Sequence, residues 1–178
     1  MDLDLDFLDA YKLTIGETFL YGKYENFIAD FGIPSKLTIV KADFTISTKE
    51  ELDKLVTTAK DPTSLTLHYP GIEMSYSYDN YIIPFTIDFR KSDKSLFYGE
   101  TAFNTSYTVK QFKRQFPNSA NPPFNSPQSL FEIVTNEKGG NYEHYTLMRK
   151  SKDDPDATPT IEYTFHKGKL IFILFANF

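Results

Sequence analysis

The chain has no cysteine and no tryptophan among its 178 residues. The lack of cysteine excludes disulfide bonds, thiolate metal ligands and a cysteine nucleophile together. A chain of this length buries about 70% of its unfolded surface, so hydrophobic packing alone can hold the fold. The sequence does not distinguish a reducing from an oxidising compartment, because a protein without cysteine tolerates both.

Positive charge and long apolar runs are also scarce. The formal net charge of −5 argues against binding to nucleic acid or to anionic membranes through phosphate contacts. The longest apolar stretch, residues 170–176, is far below the roughly 20 residues that a membrane-spanning helix needs, so we expect no membrane insertion. Acidic residues after Met1 are the opposite of a signal peptide. We expect a cytoplasmic protein if Met1 is native, and a periplasmic or secreted one if a signal peptide has been removed.

Aromatic residues are abundant, with 17 Phe and 12 Tyr. Such side chains fit a pleated, half-buried surface and favour strands. Alternation of apolar and polar residues predicts where these strands lie. The predicted strands are residues 37–46, 64–69, 72–78, 81–90, 130–135, 142–149, 161–165 and 169–178. The last strand is apolar on both faces, which predicts a central place in the sheet.

Apolar residues at helical spacing predict three helices. Ser47 and Glu50 have the spacing of a capping box at the start of one helix. Gly32 and Pro34 mark the end of another, because glycine accepts the left-handed cap and proline cannot continue a helix. The N-terminal segment, residues 3–11, suits a helix or a strand, and we favour a helix. The three predicted helices are residues 23–31, 48–60 and 108–116.

The two halves of the sequence end alike. Residues 72–89 align without a gap with residues 161–178, and each copy has a short polar stretch between two apolar segments, as in a β-hairpin. This indicates a duplicated module. We predict one module over residues 1–90 and a second over 96–178 that share one core, with a loop at 91–95. The identical pairs are Ile72/Ile161, Glu73/Glu162, Ile82/Ile171 and Phe89/Phe178.

A shorter repeat lies at the start of each half, where Gly-Glu-Thr occurs at 16–18 and at 99–101 and an aromatic-rich predicted helix follows. The first half also contains a glycine, an apolar helix face and a glycine-x-proline stop, formed by Gly16, Phe27, Ile28, Phe31, Gly32 and Pro34. On these residues it resembles the opening of outer-membrane assembly lipoproteins of the BamE type, and the doubled arrangement is similar to the β-lactamase inhibitor protein fold. The resemblance implies binding or inhibition through a concave sheet, without catalysis, and identifies no target.

The three histidines, His68, His144 and His166, lack the local spacing to other ligands that metal sites show. Glu143 precedes His144, but neighbouring strand residues point to opposite faces. We interpret all three as strand or surface histidines. No glycine-rich phosphate loop precedes a helix, so we predict no cofactor.

An acidic loop contains Asp153, Asp154 and Asp156. Carboxylates can bind calcium, but this loop lacks the glycine and the spacing of a calcium-binding loop, so a solvated turn is the better interpretation. The three aspartates could steer a basic partner.

Tyrosines on or beside predicted strands are the main candidates for partner binding. Tyrosine supplies a large, stiff contact area with a polar tip. The alternative is that these rings belong to the core. The candidates are Tyr69, Tyr76, Tyr78 and Tyr98.

These observations predict an α+β fold with an antiparallel sheet of about eight strands, built from two tandem helix-plus-strands modules with the helices on one face. The predicted function is a non-catalytic protein-binding module, like an inhibitor or immunity protein, that occludes another protein with its sheet face. One alternative is a carrier of small apolar ligands with a pocket between helices and sheet. The other is an enzyme of unknown class, disfavoured because no convergent acid–base set is visible.

Overall fold

Strands dominate the computed structural model, which describes residues 6–59, 61, 64–77, 80–120, 129–149 and 160–176. The helices of these residues are α1 (Tyr24–Phe31), α2 (Lys49–Thr58), α3 (Val109–Gln115) and α4 (Leu130–Thr135), with a 3-10 turn at Ala10–Lys12. The strands are β1 (Phe7–Leu8), β2 (Leu13–Ile15), β3 (Thr18–Phe19), β4 (Gly22–Lys23), β5 (Lys36–Ile39), β6 (Ala42–Thr45), β7 (Leu65–Tyr69), β8 (Ile72–Ser77), β9 (Tyr81–Asp88), β10 (Leu96–Tyr98), β11 (Thr101–Phe103), β12 (Tyr142–Arg149), β13 (Thr160–His166) and β14 (Lys169–Ala176).

The strands form two sheets in the described part of the chain. Ten strands make the larger sheet, in the order β1-β12-β13-β14-β9-β8-β7-β5-β6, with β4 also paired to β9. The smaller sheet has the order β11-β10-β2-β3. Pairing is antiparallel except between β1 and β12. The α+β class is therefore confirmed, whereas the predicted sheet was too small, purely antiparallel and without the second sheet.

Both predicted hairpins, β8–β9 and β13–β14, are present, and β14 lies centrally as expected, between β13 and β9. The two hairpins meet through β9 and β14, where Ile87 lies opposite Ile173. The short repeats form a second such pair, because the β2–β3 and β10–β11 hairpins meet through β2 and β10. The division of the chain into two modules stays a prediction. Two copies of one module would be expected to pair through equivalent strands in this way.

Three predicted elements were wrong. Residues 130–135 form helix α4, not a strand, because the Ser129 hydroxyl caps the N–H of Phe131 and a six-residue apolar run fits either structure. Residues 37–46 form two strands around a turn at Val40, whose φ of 60° is rare for a β-branched residue, so no usual turn residue marks it. In the N-terminal segment, the residues described from position 6 onward form β1 and a 3-10 turn, since Leu8 and Leu13 are buried as extended chain.

Helix α2 begins one residue later than expected. Its capping box joins Thr48 and Glu51 instead of Ser47 and Glu50, and each side chain bonds the other residue's backbone N–H. Both Glu50 and Glu51 lie in the first turn, where the helix dipole favours negative charge.

The larger sheet buries side chains on both faces. On one face α1, α2, α3 and the smaller sheet enclose the main core, to which β13 contributes Ile161, Tyr163 and Phe165. On the opposite, second face, Phe131 of α4 packs in a separate cluster with Ile171, Phe172 and Leu174. Helices therefore lie on both faces of the larger sheet, which corrects the prediction that they lie on one face. Among the described elements, α4 covers the β13–β14 side of the second face.

A candidate binding site on the second face of the sheet

Two glutamates lie in one row across the second face. Glu73 is opposite Thr86, Thr86 is opposite Leu174, and Leu174 is opposite Glu162. The row spans three strand spacings, so the two glutamates are about 14 Å apart. They are also one of the four identical pairs of the sequence repeat. Each lies near a histidine, yet their surroundings differ.

Helix α4 covers Glu162, which is 8% exposed. The Ser129 hydroxyl donates to Glu162 Oε1, and the Phe131 N–H lies 3.4 Å from the same oxygen. The ring of Phe131 packs against those of Tyr142 and Phe172, each with centroids 5.1 Å apart. A hydroxyl, a backbone N–H and an aromatic ring from one short segment thus close the Glu162 site, which we call the closed site.

His144 completes the closed site. Its Nδ1 lies 3.0 Å from Thr164 Oγ1 and 3.6 Å from Glu162 Oε1. Burial lowers the pKa of the His144 imidazole, although the nearby Glu162 acts in the opposite direction. The neutral imidazole is therefore favoured in the folded protein.

Arg90 anchors the far end of α4. Its guanidinium donates to both Asp88 oxygens, at 2.8 and 2.9 Å, and to Glu137 at 2.8 and 2.9 Å. The Tyr142 hydroxyl donates to Glu137 at 2.8 Å. The hydrogen bonds that Arg90 donates to Asp88, and then those to Glu137, raise the pKa of Arg90, while Arg90 and Tyr142 lower the pKa of Glu137. Both acids next to α4 are thus already paired.

Glu73 opens into a cleft of about 380 Å³. Its side chain is 37% exposed, against 10% for Glu162. The His68 Nδ1 lies 3.2 Å from Oε1, and the Thr86 hydroxyl donates to Oε2 at 3.3 Å. Both contacts are at the long end of the hydrogen-bond range. We call this cleft, whose lining also includes Val134 and Phe172, the open site.

A chain of hydrogen bonds reaches His68 from the edge of the sheet. Lys36 and Thr38 donate to Asp43 at 2.9 and 2.6 Å, and these two contacts lower the pKa of the Asp43 carboxyl, Thr38 more strongly. Since Thr38 donates its only proton there, it accepts from His68 Nε2 at 2.7 Å.

The rim of the open site is rigid where Gly71 turns the chain. Gly71 has a φ of 69°, and a Cβ there would lie 2.5 Å from both Asp88 O and Ser92 N. Its carbonyl also accepts from the Asp88 N–H at 2.7 Å. Only glycine fits this close approach without strain.

Two apolar side chains of α4 face solvent beside the open site. Ile133 is 58% exposed and Val134 is 39% exposed, and Val134 also lines the cleft. Exposed apolar residues next to a polar cleft are a common composition for a protein-binding surface.

Of the described tyrosine candidates, Tyr69 lines the open site, whereas Tyr76 and Tyr98 lie in or against the main core. Tyr76 is 8% exposed in the main core, and its hydroxyl donates to Asn80. Tyr69 is half-buried against the same core and donates to Gly32 O at 2.9 Å, while Tyr98 packs from the smaller sheet. Burial accordingly raises the pKa of Tyr69. An exposed patch that includes the Tyr76 ring is therefore a wrong expectation, because β8 turns this ring inward.

The remaining candidates, Tyr78, Asp153, Asp154 and Asp156, lie outside the described residues. Within those residues no group of three or more His, Asp or Glu side chains is placed to hold a metal ion. No described helix is long and apolar enough to cross a membrane.

Sequence reasoning missed the His68–Glu73 pair, although a signal exists. Residue spacing along one strand does not reveal this pair. The signal is the two-residue turn at Pro70–Gly71, which places Tyr69 opposite Ile72 and hence His68 opposite Glu73 on the neighbouring strand. The identity of Glu73 and Glu162 was a second signal.

Searches with the chain matched no protein-family model, no curated protein and no solved structure. The resemblance to the β-lactamase inhibitor and BamE-type proteins therefore stays an expectation. The proposed function is therefore based on the geometry of the second face.

Proposed function

We propose that the chain is a non-catalytic protein-binding module that docks its partner on the open site and on the adjoining side of α4. One observation carries the proposal: α4 covers β13 and β14, while the cleft over Glu73 stays accessible beside the exposed Ile133 and Val134. The partner would occlude this half of the second face, which keeps the predicted mode of action and, of the predicted tyrosines, includes Tyr69 in the cleft lining.

The surface is suited to docking because its parts are already fixed. Arg90 holds α4 at one end and Ser129 holds it at the other, so Ile133 and Val134 are presented without much loss of side-chain or loop entropy on binding. A preformed apolar pair beside a polar cleft can bind and still remain soluble when free.

Site-specific photo-crosslinking in the source cells tests the proposal. A photoreactive residue at position 133 should capture one protein, and the same residue at exposed Lys54 of α2 should not. Ile133→Asp combined with a photoreactive residue at 134 should abolish capture. Capture from position 54 alone, or equal capture from both helices, would contradict the proposal.

A second cleft favours the ligand-carrier alternative. It measures about 740 Å³ and lies between the end of α1 and the smaller sheet, lined by Phe31, Phe97 and Lys94 among others. Its size matches small-molecule pockets, and its mixture of rings and charges would suit an amphiphilic ligand. Native mass spectrometry of protein purified from its source should then show a retained small molecule that Phe97→Glu removes.

A further inference from the structure

The larger sheet ends at β6, and among the described residues no strand pairs with the outer edge of β6. All of its residues are exposed. The backbone N–H and C=O groups along such an edge form a template for another strand, which proteins often block with proline, lysine or a bulge. The β6 sequence, Ala-Asp-Phe-Thr, contains neither residue, and its register with β5 runs without a shift. The edge is therefore available for pairing.

Two residues of β6 direct their backbone groups away from β5. The Ile46 N–H donates to Ser35 O at 3.1 Å. Because hydrogen-bonded pairs alternate along an antiparallel ladder, Phe44 also bonds to β5. The N–H and C=O groups of Asp43 and Thr45 therefore point to the outer edge. These two residues lie symmetrically on either side of Phe44.

Phe44 is the large apolar side chain of this edge. It lies opposite Leu37 of β5, so the two side chains share the face of the main core. Leu37 is fully buried, whereas Phe44 is 36% exposed at the rim. Aromatic side chains that lie directly opposite each other on two strands stabilise the pairing. A second Phe44 across the edge would cover the exposed part of this ring.

An antiparallel second copy of β6 satisfies both features in one register. When Phe44 lies opposite Phe44 of the second copy, Asp43 of each copy lies opposite Thr45 of the other. Each Asp43–Thr45 pair then exchanges both of its backbone hydrogen bonds across the edge. A register with Asp43 opposite itself would bring like charges together, which is unfavourable. The edge is thus self-complementary about an axis at Phe44, as a two-fold dimer requires.

The same register is complementary in charge. It brings Lys41, an exposed residue of the β5–β6 turn, opposite Ser47 of the second copy. Ser47 immediately precedes Thr48, the N-cap of α2, whose first turn contains Glu50 and Glu51. The two-fold axis therefore places a lysine beside an acidic helix end twice, once in each direction.

We infer that the chain forms a dimer by antiparallel pairing of β6 with β6 of a second copy, centred on Phe44, which joins the two larger sheets into one. The contact lies at a different part of the sheet from the open site, so it goes beyond the proposed function and does not depend on it. Because β6 has only 4 residues, the contact belongs to the class of small, weak interfaces. The dimer should accordingly form only at high concentration.

Sedimentation equilibrium from about 10 μM to about 1 mM, the range of weak associations, measures the dimer. The average mass should rise from the 20.5 kDa of the monomer toward twice that value. Phe44→Lys and Phe44→Glu should each stay monomeric, because the axis places like charges opposite each other. An equimolar mixture of these two variants should associate again. Ile133→Lys, at an exposed apolar residue of α4, is the control and should associate like wild type.

A second pair of variants tests the backbone contact. Thr45→Pro removes an N–H that points away from β5, and proline is tolerated at such an edge position. It should weaken association at least about tenfold, because each copy loses a hydrogen bond to the other. Thr45→Ala keeps the N–H and should associate like wild type. Circular dichroism of each variant checks that the fold is kept.

Several results would overturn the inference. These are a monomeric mass at every concentration, full association of Phe44→Lys, or a mixture of the lysine and glutamate variants that stays monomeric. Equal association of Thr45→Pro and Thr45→Ala would reject pairing through the β6 backbone. Loss of association in Ile133→Lys alone would assign the contact to α4 instead. Partner capture at position 133 alongside any of these results would leave the docking function standing and reject only the dimer.

Discussion

The closed and open sites contain the same carboxylate in the same row of one sheet, and they differ in what lies above it. In the described part of the chain, Ser129, Phe131 and the rest of α4 cover Glu162, whereas Glu73 opens into a cleft. The strands beneath are equivalent hairpins that meet through β9 and β14. The difference therefore comes from a single short helix in the second half, and it turns one carboxylate into part of the fold and leaves the other available.

The two sites also differ in the surroundings of the histidine and in the solvent exposure of the glutamate. In the closed site, burial favours the neutral imidazole of His144. In the open site, His68 belongs to a chain of hydrogen bonds that begins at exposed Asp43 and Lys36. The contrast in solvent access lies in the two carboxylates, because the Glu162 side chain is 10% exposed and the Glu73 side chain is 37% exposed.

Removing the cover should produce the largest effect. Phe131 is fully buried, so Phe131→Ala should lower the free energy of unfolding by about 3 kcal/mol through the cavity that it leaves. Ile133→Ala on the same helix should change it by less than about 0.5 kcal/mol, because Ile133 is mostly exposed. Urea unfolding of both variants measures the contrast, and equal effects would show that α4 does not close the site.

The two glutamates should differ when each is changed to an amide. Glu162→Gln disturbs an acceptor that buried Ser129 and Phe131 use, and should cost about 1–3 kcal/mol in the free energy of unfolding. Glu73→Gln should cost about 0.5 kcal/mol or less, since that side chain is partly exposed. Chemical denaturation at neutral pH compares them, and a larger loss for Glu73→Gln would reverse the assignment of closed and open.

The closed site should also make stability depend on pH through His144, the smallest of these effects. Burial lowers the pKa of His144 in the folded protein, so the unfolded chain, with a pKa near 6.5, binds the proton first. The contribution is fully present above about pH 6.5 and is lost as the pH falls through the folded pKa. The stability difference between wild type and His144→Gln should therefore shrink from pH 7.5 to pH 5, as urea titrations can show. A constant difference would mean that His144 is not shielded.

Much of the fold could be predicted from local sequence patterns, but the candidate site could not. Alternation located β7, β8, β9, β12, β13 and β14, and capping chemistry located the start of α2 to within one residue. Alternation failed at residues 130–135, where Ser129 selects a helix, and at Val40, where a β-branched residue makes the turn. The sites depend on cross-strand partners, such as His68 with Glu73, and on α4 crossing the second face. Neither the cross-strand partners nor the position of α4 can be predicted from residue spacing along one strand.

Carbodiimide labelling of carboxylates, read by mass spectrometry of peptides, tests the central claim most directly. In the free folded protein Glu73 should be modified readily and Glu162 should resist, as their exposed fractions of 37% and 10% require. Addition of the crosslinked partner's purified form should protect Glu73 and leave Glu162 unchanged. Equal labelling of the two glutamates in the free protein, or a bound partner that leaves Glu73 fully reactive, would contradict the account.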